Sequence, residues 1–240
     1  MKLSKLTIFI FALQALCFSC KKEISSTKPV LNSAITIVNA VAGSDPVIMD
    51  LSGVKPVSKY FSTAPQVGYG SFHEFSAVSG NLPLTIYQTS DTVHAMYKAN
   101  LNLAGAGIYS LFLTGTDPAH PDVILNQDHP PYHSAADSVI GVRFINLSPG
   151  SSPISVNLQG APNGSLVNSL AYKSITSFDD IPFKSNIAQY VFEIRDASSG
   201  LLLTSYTYNT APYQNITIGI IGQEGASATV PISAMKENNF

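Results

Sequence analysis

Two stretches of this chain read as copies of one another. Ala34 to Gly53 is AITIVNAVAGSDPVIMDLSG and Gly141 to Gly160 is GVRFINLSPGSSPISVNLQG, and the two align without a gap. Asn39 falls on Asn146, Gly43 on Gly150, Ser44 on Ser151, Pro46 on Pro153, Leu51 on Leu158 and Gly53 on Gly160, all at an offset of 107 residues. Farther on, Tyr69 and Phe75 fall opposite Tyr172 and Phe178 after a four-residue slip, and Gly115 returns to the first offset at Gly222. A copy of this length is as long as one complete sandwich domain. The chain is therefore expected to fold twice in the same way, over residues 34–116 and 139–240, with residues 117–138 as a linker between the two.

Within each copy the apolar residues alternate, which is the pattern of a strand with one face inward and one toward water. Ile154, Val156 and Leu158 alternate with Ser155, Asn157 and Gln159; Phe192 and Ile194 with Glu193 and Arg195; Leu111 and Leu113 with Ser110 and Thr114. Turn residues separate these runs at Gly43 to Pro46, Ser79 to Asn81, Ala104 to Gly107, Ser148 to Ser152, Pro162 to Gly164 and Ser198 to Gly200. The expected fold class is all-β, two tandem antiparallel β-sandwiches. A hydrophobic content of 45% supplies the apolar surface that two ordered cores require.

The run Asn146-Leu147-Ser148-Pro149-Gly150, the segment Tyr172 to Phe178 and the strand end Leu113-Thr114-Gly115 resemble the bacterial domain of unknown function 4397 family. Its repeats open with a strand, an Asn or His, and a Ser-Pro turn. The resemblance covers roughly residues 34–116 and 139–223, with Val41-Ala42 standing where the first copy would carry the Ser-Pro turn. It implies immunoglobulin-like sandwiches in envelope proteins and carries no activity over.

The N-terminal residues carry an address. Lys2 and Lys5 precede an apolar run from Leu6 to Leu16, followed by Cys17-Phe18-Ser19-Cys20. The run is shorter than the roughly 20 residues a helical membrane span needs, so residues 1–19 read as a cleaved export signal. Ser19 supplies the small side chain before the cut, and the segment resembles the bacterial lipobox, which implies acylation of Cys20. Cleavage leaves Cys20 as the sole cysteine, with no internal disulfide to serve. Several acyl chains, at about 0.8 kcal/mol per buried methylene, would hold the protein to a membrane. Residues 20–33 read as the lipidated start and a tether, and Lys21-Lys22-Glu23 is similar to segments that follow the acylated cysteine in surface lipoproteins of the Bacteroidetes. The expected location is the cell envelope, at the outer membrane on its periplasmic face or the cell surface.

Charge narrows the partners. Without residues 1–19 the chain carries 11 basic and 15 acidic side chains, a net charge of −4, with its few cations scattered. A phosphate backbone is not matched by such a surface, and no nucleic acid partner is expected.

Candidate chemistry is sparse. Asp117, His120, Asp122, Asp128, His129, His133 and Asp137 crowd between the copies and include imidazole and carboxylate groups that suit a transition metal. Pro130 and Pro131 break any helix that would align His129 with His133, so the competing reading is a solvated linker. No metal ligand set, cofactor site or catalytic residue is assigned. The chain lacks a Gly-x-Ser-x-Gly elbow and a phosphate loop, and Gly68-Tyr69-Gly70-Ser71 reads as a bend. Asp179 and Asp180 are an adjacent acid pair whose side chains point apart on a strand; a strand end before Ile181-Pro182 is the alternative to acid–base work. Tyr206, Tyr208 and Tyr213 could form a ring platform or pack inward, and the chain has no Trp. Asp91-Thr92-Val93 and Asp137-Ser138-Val139 resemble O-glycosylation triplets of exported Bacteroidetes proteins and also read as turns.

The expected function is that of a non-catalytic, lipid-anchored envelope protein that binds an unknown protein or glycan. Two alternatives stand beside it: a metal-assisted hydrolase built on the His and Asp residues between the copies, and a structural spacer.

Overall fold

The computed structural model describes residues 31–134, 136–225, 228 and 230–239. The signal segment, Cys20 and most of the tether lie outside these residues. The first copy supplies β1 (Asn32–Val41), β2 (Val47–Asp50), a short helix α1 (Ser58–Thr63), β3 (Ser71–Val78), β4 (Gly80–Gln88), β5 (Tyr97–Leu103), β6 (Ile108–Gly115) and β7 (Asp122–Asp128). The second supplies β8 (Val139–Asn146), β9 (Ile154–Leu158), β10 (Val167–Leu170), β11 (Asp179–Pro182), β12 (Gln189–Asp196), β13 (Leu202–Asn209), β14 (Asn215–Ile221) and β15 (Ser233–Asn239). The chain is all-β, and among the described residues no helix is long and apolar enough to cross a membrane.

Each copy forms a two-layer sandwich. In the first, the sheet β3-β1-β6-β7 covers the sheet β2-β4-β5; in the second, β11-β8-β14-β15 covers β10-β9-β12-β13. Ile35, Ile37, Leu111 and Leu113 meet Leu84, Ile86 and Leu101 in one core, and Val142, Phe144, Ile216 and Ile218 meet Val156, Phe192 and Ile194 in the other. Each fully buried side chain of this size contributes roughly 1.5–3 kcal/mol. The duplication extends to register: Ala34 pairs with Ile108 and Gly141 with Asn215, so β1–β6 and β8–β14 are the same pairing made twice. Those two ladders are parallel, which departs from the expected all-antiparallel sandwich, while the other strand ladders are antiparallel.

Two boundaries differ from the sequence reading. Strand β1 begins at Asn32, inside the expected tether, and the buried Ser33 hydroxyl donates to the Ala104 carbonyl at 2.7 Å. Part of the expected linker is strand: seven of its 22 residues pair into the first sandwich. Residues Asp122–Asp128 are β7, paired along β6 from Asp122–Thr114 to Asp128–Ile108, and β15 holds the same place beside β14. The apolar run Val123-Ile124-Leu125 explains why: Val123 closes the first core and Ile124 packs on the opposite side of the sheet.

That opposite side is covered by the other copy. Val38, Ala40 and Phe112 of the first sandwich form one buried cluster with Ile145, Leu147, Ile221 and Met235 of the second. Strands β6, β8 and β14 are therefore buried on both faces. Phe112 and Gly219 are equivalent positions at the 107-residue offset, and both line the same narrow space between the sheets. Ser110 and Thr114, expected to face water, lie in this interface and are fully buried. The Thr114 hydroxyl donates across it to the Leu147 carbonyl at 2.7 Å. Ser155 and Asn157 are buried too. Ser155 Oγ donates to Asn163 Oδ1 at 2.8 Å, and Asn157 Nδ2 donates to Glu193 Oε2 at 2.9 Å. Small hydroxyl and amide groups enter an interior cheaply once they are hydrogen-bonded, so the alternation marks a face without saying what covers it.

Candidate functional site

A cleft of about 370 Å³ opens where β7 and the chain after it meet the second sandwich. Asn126, Gln127, His129 and Pro131 form one wall, and Ile175, Thr176, Ser177 and Phe178 form the other, with Arg143 between them. The second wall stays close to β8 because Ile145 bridges to Ile175 and the Phe144 and Thr176 backbones are hydrogen-bonded.

Arg143 fixes the floor. Its Nη1 donates to Asp128 Oδ1 at 2.6 Å, its Nε to Thr217 Oγ1 at 2.7 Å and its Nη2 to Ser110 Oγ at 3.3 Å. The Arg143 and Asp128 side chains are 3% and 1% exposed, so the ion pair joins the two copies away from water. The guanidinium lies 4.6 Å from the centre of the Phe178 ring, which holds that ring in the cleft by a cation–π contact. Asn126 Nδ2 also donates to Asp128 Oδ1, at 2.6 Å. Gln127 and His129 are exposed. The cleft thus offers amide, imidazole and hydroxyl groups beside one aromatic ring. Thr176 is not set up as a nucleophile, because its hydroxyl donates to the Ser177 carbonyl at 2.8 Å and accepts from the Phe144 N–H at 3.0 Å.

A second, larger hollow of about 450 Å³ lies on the first sandwich between the Gly53–Lys55 loop and the outer face of β4 and β5, with Thr85, Tyr87, Lys98 and Asn100 among its lining.

The His and Asp residues that crowd between the copies in sequence are dispersed in space. Asp117 and His120 pair with each other at 2.8 Å on the surface, and Asp122 pairs with Lys173 at 2.6 Å. Asp128 is committed to Arg143. His133 Nε2 lies 3.0 Å from Asn215 Oδ1, while Asn215 Nδ2 donates to the Pro131 carbonyl at 2.8 Å. That second bond fixes the amide orientation, so His133 carries its proton on Nε2 and holds residues 131–133 against β14. The same nitrogen is 3.8 Å from Asp180 Oδ1. Asp137 Oδ2 accepts the Ser134 N–H at 2.6 Å. Among the described residues no group of three or more His, Cys, Asp or Glu is placed to hold a metal ion.

The remaining candidates resolve into structure. Asp179 and Asp180 open strand β11 instead of ending a strand, pairing with Val142 and Gly141. Tyr206 and Tyr208 pack on the second core, and Tyr213 is 42% exposed. Tyr208 is buried, donates to Gln214 Oε1 at 3.1 Å and lies under the Lys236 ammonium. The Gly68 to Ser71 run is a bend, closed by the Ser71 hydroxyl on the Gly68 carbonyl at 2.7 Å. Asp91 caps a turn by accepting the Val93 and His94 N–H groups, each at 2.9 Å. The His94 backbone bond, with its ring and Val93, holds the Asp91 carboxyl down at about 2. The sequence reading missed Arg143 and Phe178 as site residues. A lone arginine inside an apolar strand, Val142-Arg143-Phe144, was the available signal.

No family model matches the chain, and no curated protein does. Among solved structures it is similar to a family 41 carbohydrate-binding module for α-glucan from streptococcal virulence factors, at 11% identity over 78% of this chain and 93% of that one, with a TM-score of 0.25. It is also similar to a multi-modular glycogen-degrading pneumococcal virulence factor, at 10% identity over 78% of this chain and 20% of that one, with a TM-score of 0.28. A third is a family 26 module of Eubacterium rectale in complex with maltoheptaose, at 10% identity over 88% and 98%, with a TM-score of 0.25. Superpositions this loose place no ligand subsite on this chain.

Proposed function

We propose that this chain is a non-catalytic, lipid-anchored binding module of the bacterial cell envelope, and that the cleft between its two sandwiches takes a short carbohydrate. The observation that carries the reading is that Asn126, Gln127, His129, Thr176 and Ser177 line one cleft together with the Phe178 ring. A sugar presents hydroxyls around its edge and an apolar face, and small-ligand sites pair a few placed polar groups with an apolar or aromatic wall in the same way. Anchoring rests on Cys20 and the export signature ahead of it, and the Asn146–Gly150 turn supports membership of the domain of unknown function 4397 family.

The test is titration calorimetry with maltoheptaose, cellohexaose and chitohexaose as probes, using the mature chain and the Phe178→Ala and Gln127→Ala variants. Binding of one probe that weakens at least tenfold in both variants supports the cleft. No heat with any of the three, or binding untouched by both changes, overturns it. For the anchor, mass spectrometry of the mature protein from membranes should find Cys20 acylated, and Cys20→Ser should release the protein from the membrane fraction.

A structural spacer is the second reading. The buried interface between the copies favours it, because it holds them as one compact unit. Silence in the calorimetry with the anchor intact would select it.

A further inference from the structure

The side chains around Arg143 leave one proton to be placed. Ser110 on β6, Asp128 on β7, Arg143 on β8, Thr217 on β14 and Glu237 and Asn239 on β15 are all buried in the interface between the copies. Ser110 Oγ lies 2.5 Å from Asp128 Oδ2, 2.9 Å from Glu237 Oε1 and 3.3 Å from Arg143 Nη2. A serine hydroxyl has one proton to give and two lone pairs to receive with. Arginine can only donate, so one lone pair is taken and the hydroxyl can donate to only one of the two carboxyls. The other carboxyl must itself be the donor, and therefore protonated.

Charge decides which. Asp128 Oδ1 accepts from Arg143 Nη1 and from Asn126 Nδ2, each at 2.6 Å, so Asp128 is the carboxylate that balances the guanidinium. The Glu237 Oε2 oxygen has no hydrogen-bond partner, which a carbonyl tolerates far better than a carboxylate. Asp128 and Arg143 already cancel, so a second carboxylate would leave one uncompensated negative charge between the sheets.

From this geometry we infer that Glu237 is a protonated carboxylic acid that donates to Ser110 and latches the two sandwiches together, and that losing its proton loosens the latch. Burial raises the Glu237 carboxyl to about 7, with Asp128 adding to the rise and Arg143, Ser110 and Asn239 opposing it. The other charged groups on the packed strands face elsewhere. Lys236 lies over the Tyr208 ring on the far side of β15, His73 and Glu74 on β3 are exposed, and Asp122 at the other end of β7 pairs with Lys173. The folded state keeps its proton to higher pH than the unfolded chain. Stability is therefore greatest below the ordinary glutamate range, falls as pH rises toward about 7 and stays lowered above it. In the first copy Asn126 stands opposite Ser110 as Glu237 stands opposite Thr217, and an amide cannot titrate, so the switch belongs to one side of the interface.

The experiment is thermal unfolding of the mature chain and of Glu237→Gln across about pH 5 to pH 8, with carboxyl NMR titration of Glu237 in the unmodified protein. The wild type should lose roughly 5–10 °C in Tm relative to the variant over that range, and the carboxyl should titrate near neutrality. An unchanged difference in Tm between the two proteins, or a carboxyl that titrates in the ordinary glutamate range, overturns the inference. The NMR measurement decides it even if the variant does not fold.

Discussion

Asn39 and Asn146 make three matching hydrogen bonds in the two copies. Asn39 Nδ2 donates to the Val67 carbonyl at 3.1 Å and to Ser44 Oγ at 3.1 Å, while its Oδ1 accepts the Val41 N–H at 3.2 Å. Asn146 Nδ2 donates to the Leu170 carbonyl at 3.1 Å and to Ser151 Oγ at 3.2 Å, while its Oδ1 accepts the Ser148 N–H at 3.0 Å. Both are fully buried. The Asn and Ser matches of the repeat are thus one internal clamp, fastening the end of the first strand to the next turn and to the chain that returns beside the second strand. Asn146→Ala strands a buried carbonyl and a buried N–H, and denaturant unfolding should show a loss of about 1–3 kcal/mol. Asn39→Ala should cost a similar amount.

The Arg143–Asp128 pair is expected to be costly to break and cheap to replace. Arg143→Met leaves Asp128 charged and unpaired between the sandwiches, for a loss of about 3–5 kcal/mol. Adding Asp128→Leu should return most of it. A double-mutant cycle by chemical denaturation checks this; a double variant no more stable than the single one would refute it.

Gly141 sits where the first copy has Ala34, and the difference has a local cause. A Cβ there would lie 2.0 Å from Asn215 Oδ1 and 3.0 Å from His133 Nε2. Gly141→Ala should therefore detach residues 131–133, read out by NMR as loss of NOE contacts between the His133 ring and Asn215, while amide exchange in the first sandwich core stays unchanged.

Asp196 ends β12 and accepts the Ser198 and Ser199 hydroxyls at 2.7 Å each, together with their backbone N–H groups at 3.1 and 2.7 Å. These bonds, Ser198 foremost, hold its carboxyl down at about 2. A depressed acid stabilises the turn above the ordinary aspartate range and loses that contribution as pH falls through its folded value. NMR should find an Asp196 midpoint near 2 and loss of the turn below it; an ordinary aspartate midpoint would contradict the arrangement.

The alternation of Ile154, Val156 and Leu158 and the paired turn residues made the strands and their duplication legible in the sequence. The interface was not legible. Period-two patterning names two faces and is silent about partners, so Ser110 and Thr114 read like solvent-facing residues although a second sheet covers them. The cleft was hidden for a related reason. The seven His and Asp residues drew the eye to ligand chemistry, whereas β7 is built from the apolar run embedded among them, and its Asp128 is spent on an arginine from the other copy. Long-range pairing of that kind leaves only one local trace, a charged residue in an apolar strand.

Phe112 and Gly219 show what duplication became here. An interface between two first copies would bring two benzyl groups to one place, and between two second copies it would leave a hollow. Only the unlike pairing fills space once. The halves have ceased to be interchangeable, and two chains that traded halves would still have to seat a first copy against a second, so an exchanged dimer would rebuild the joint found within one chain.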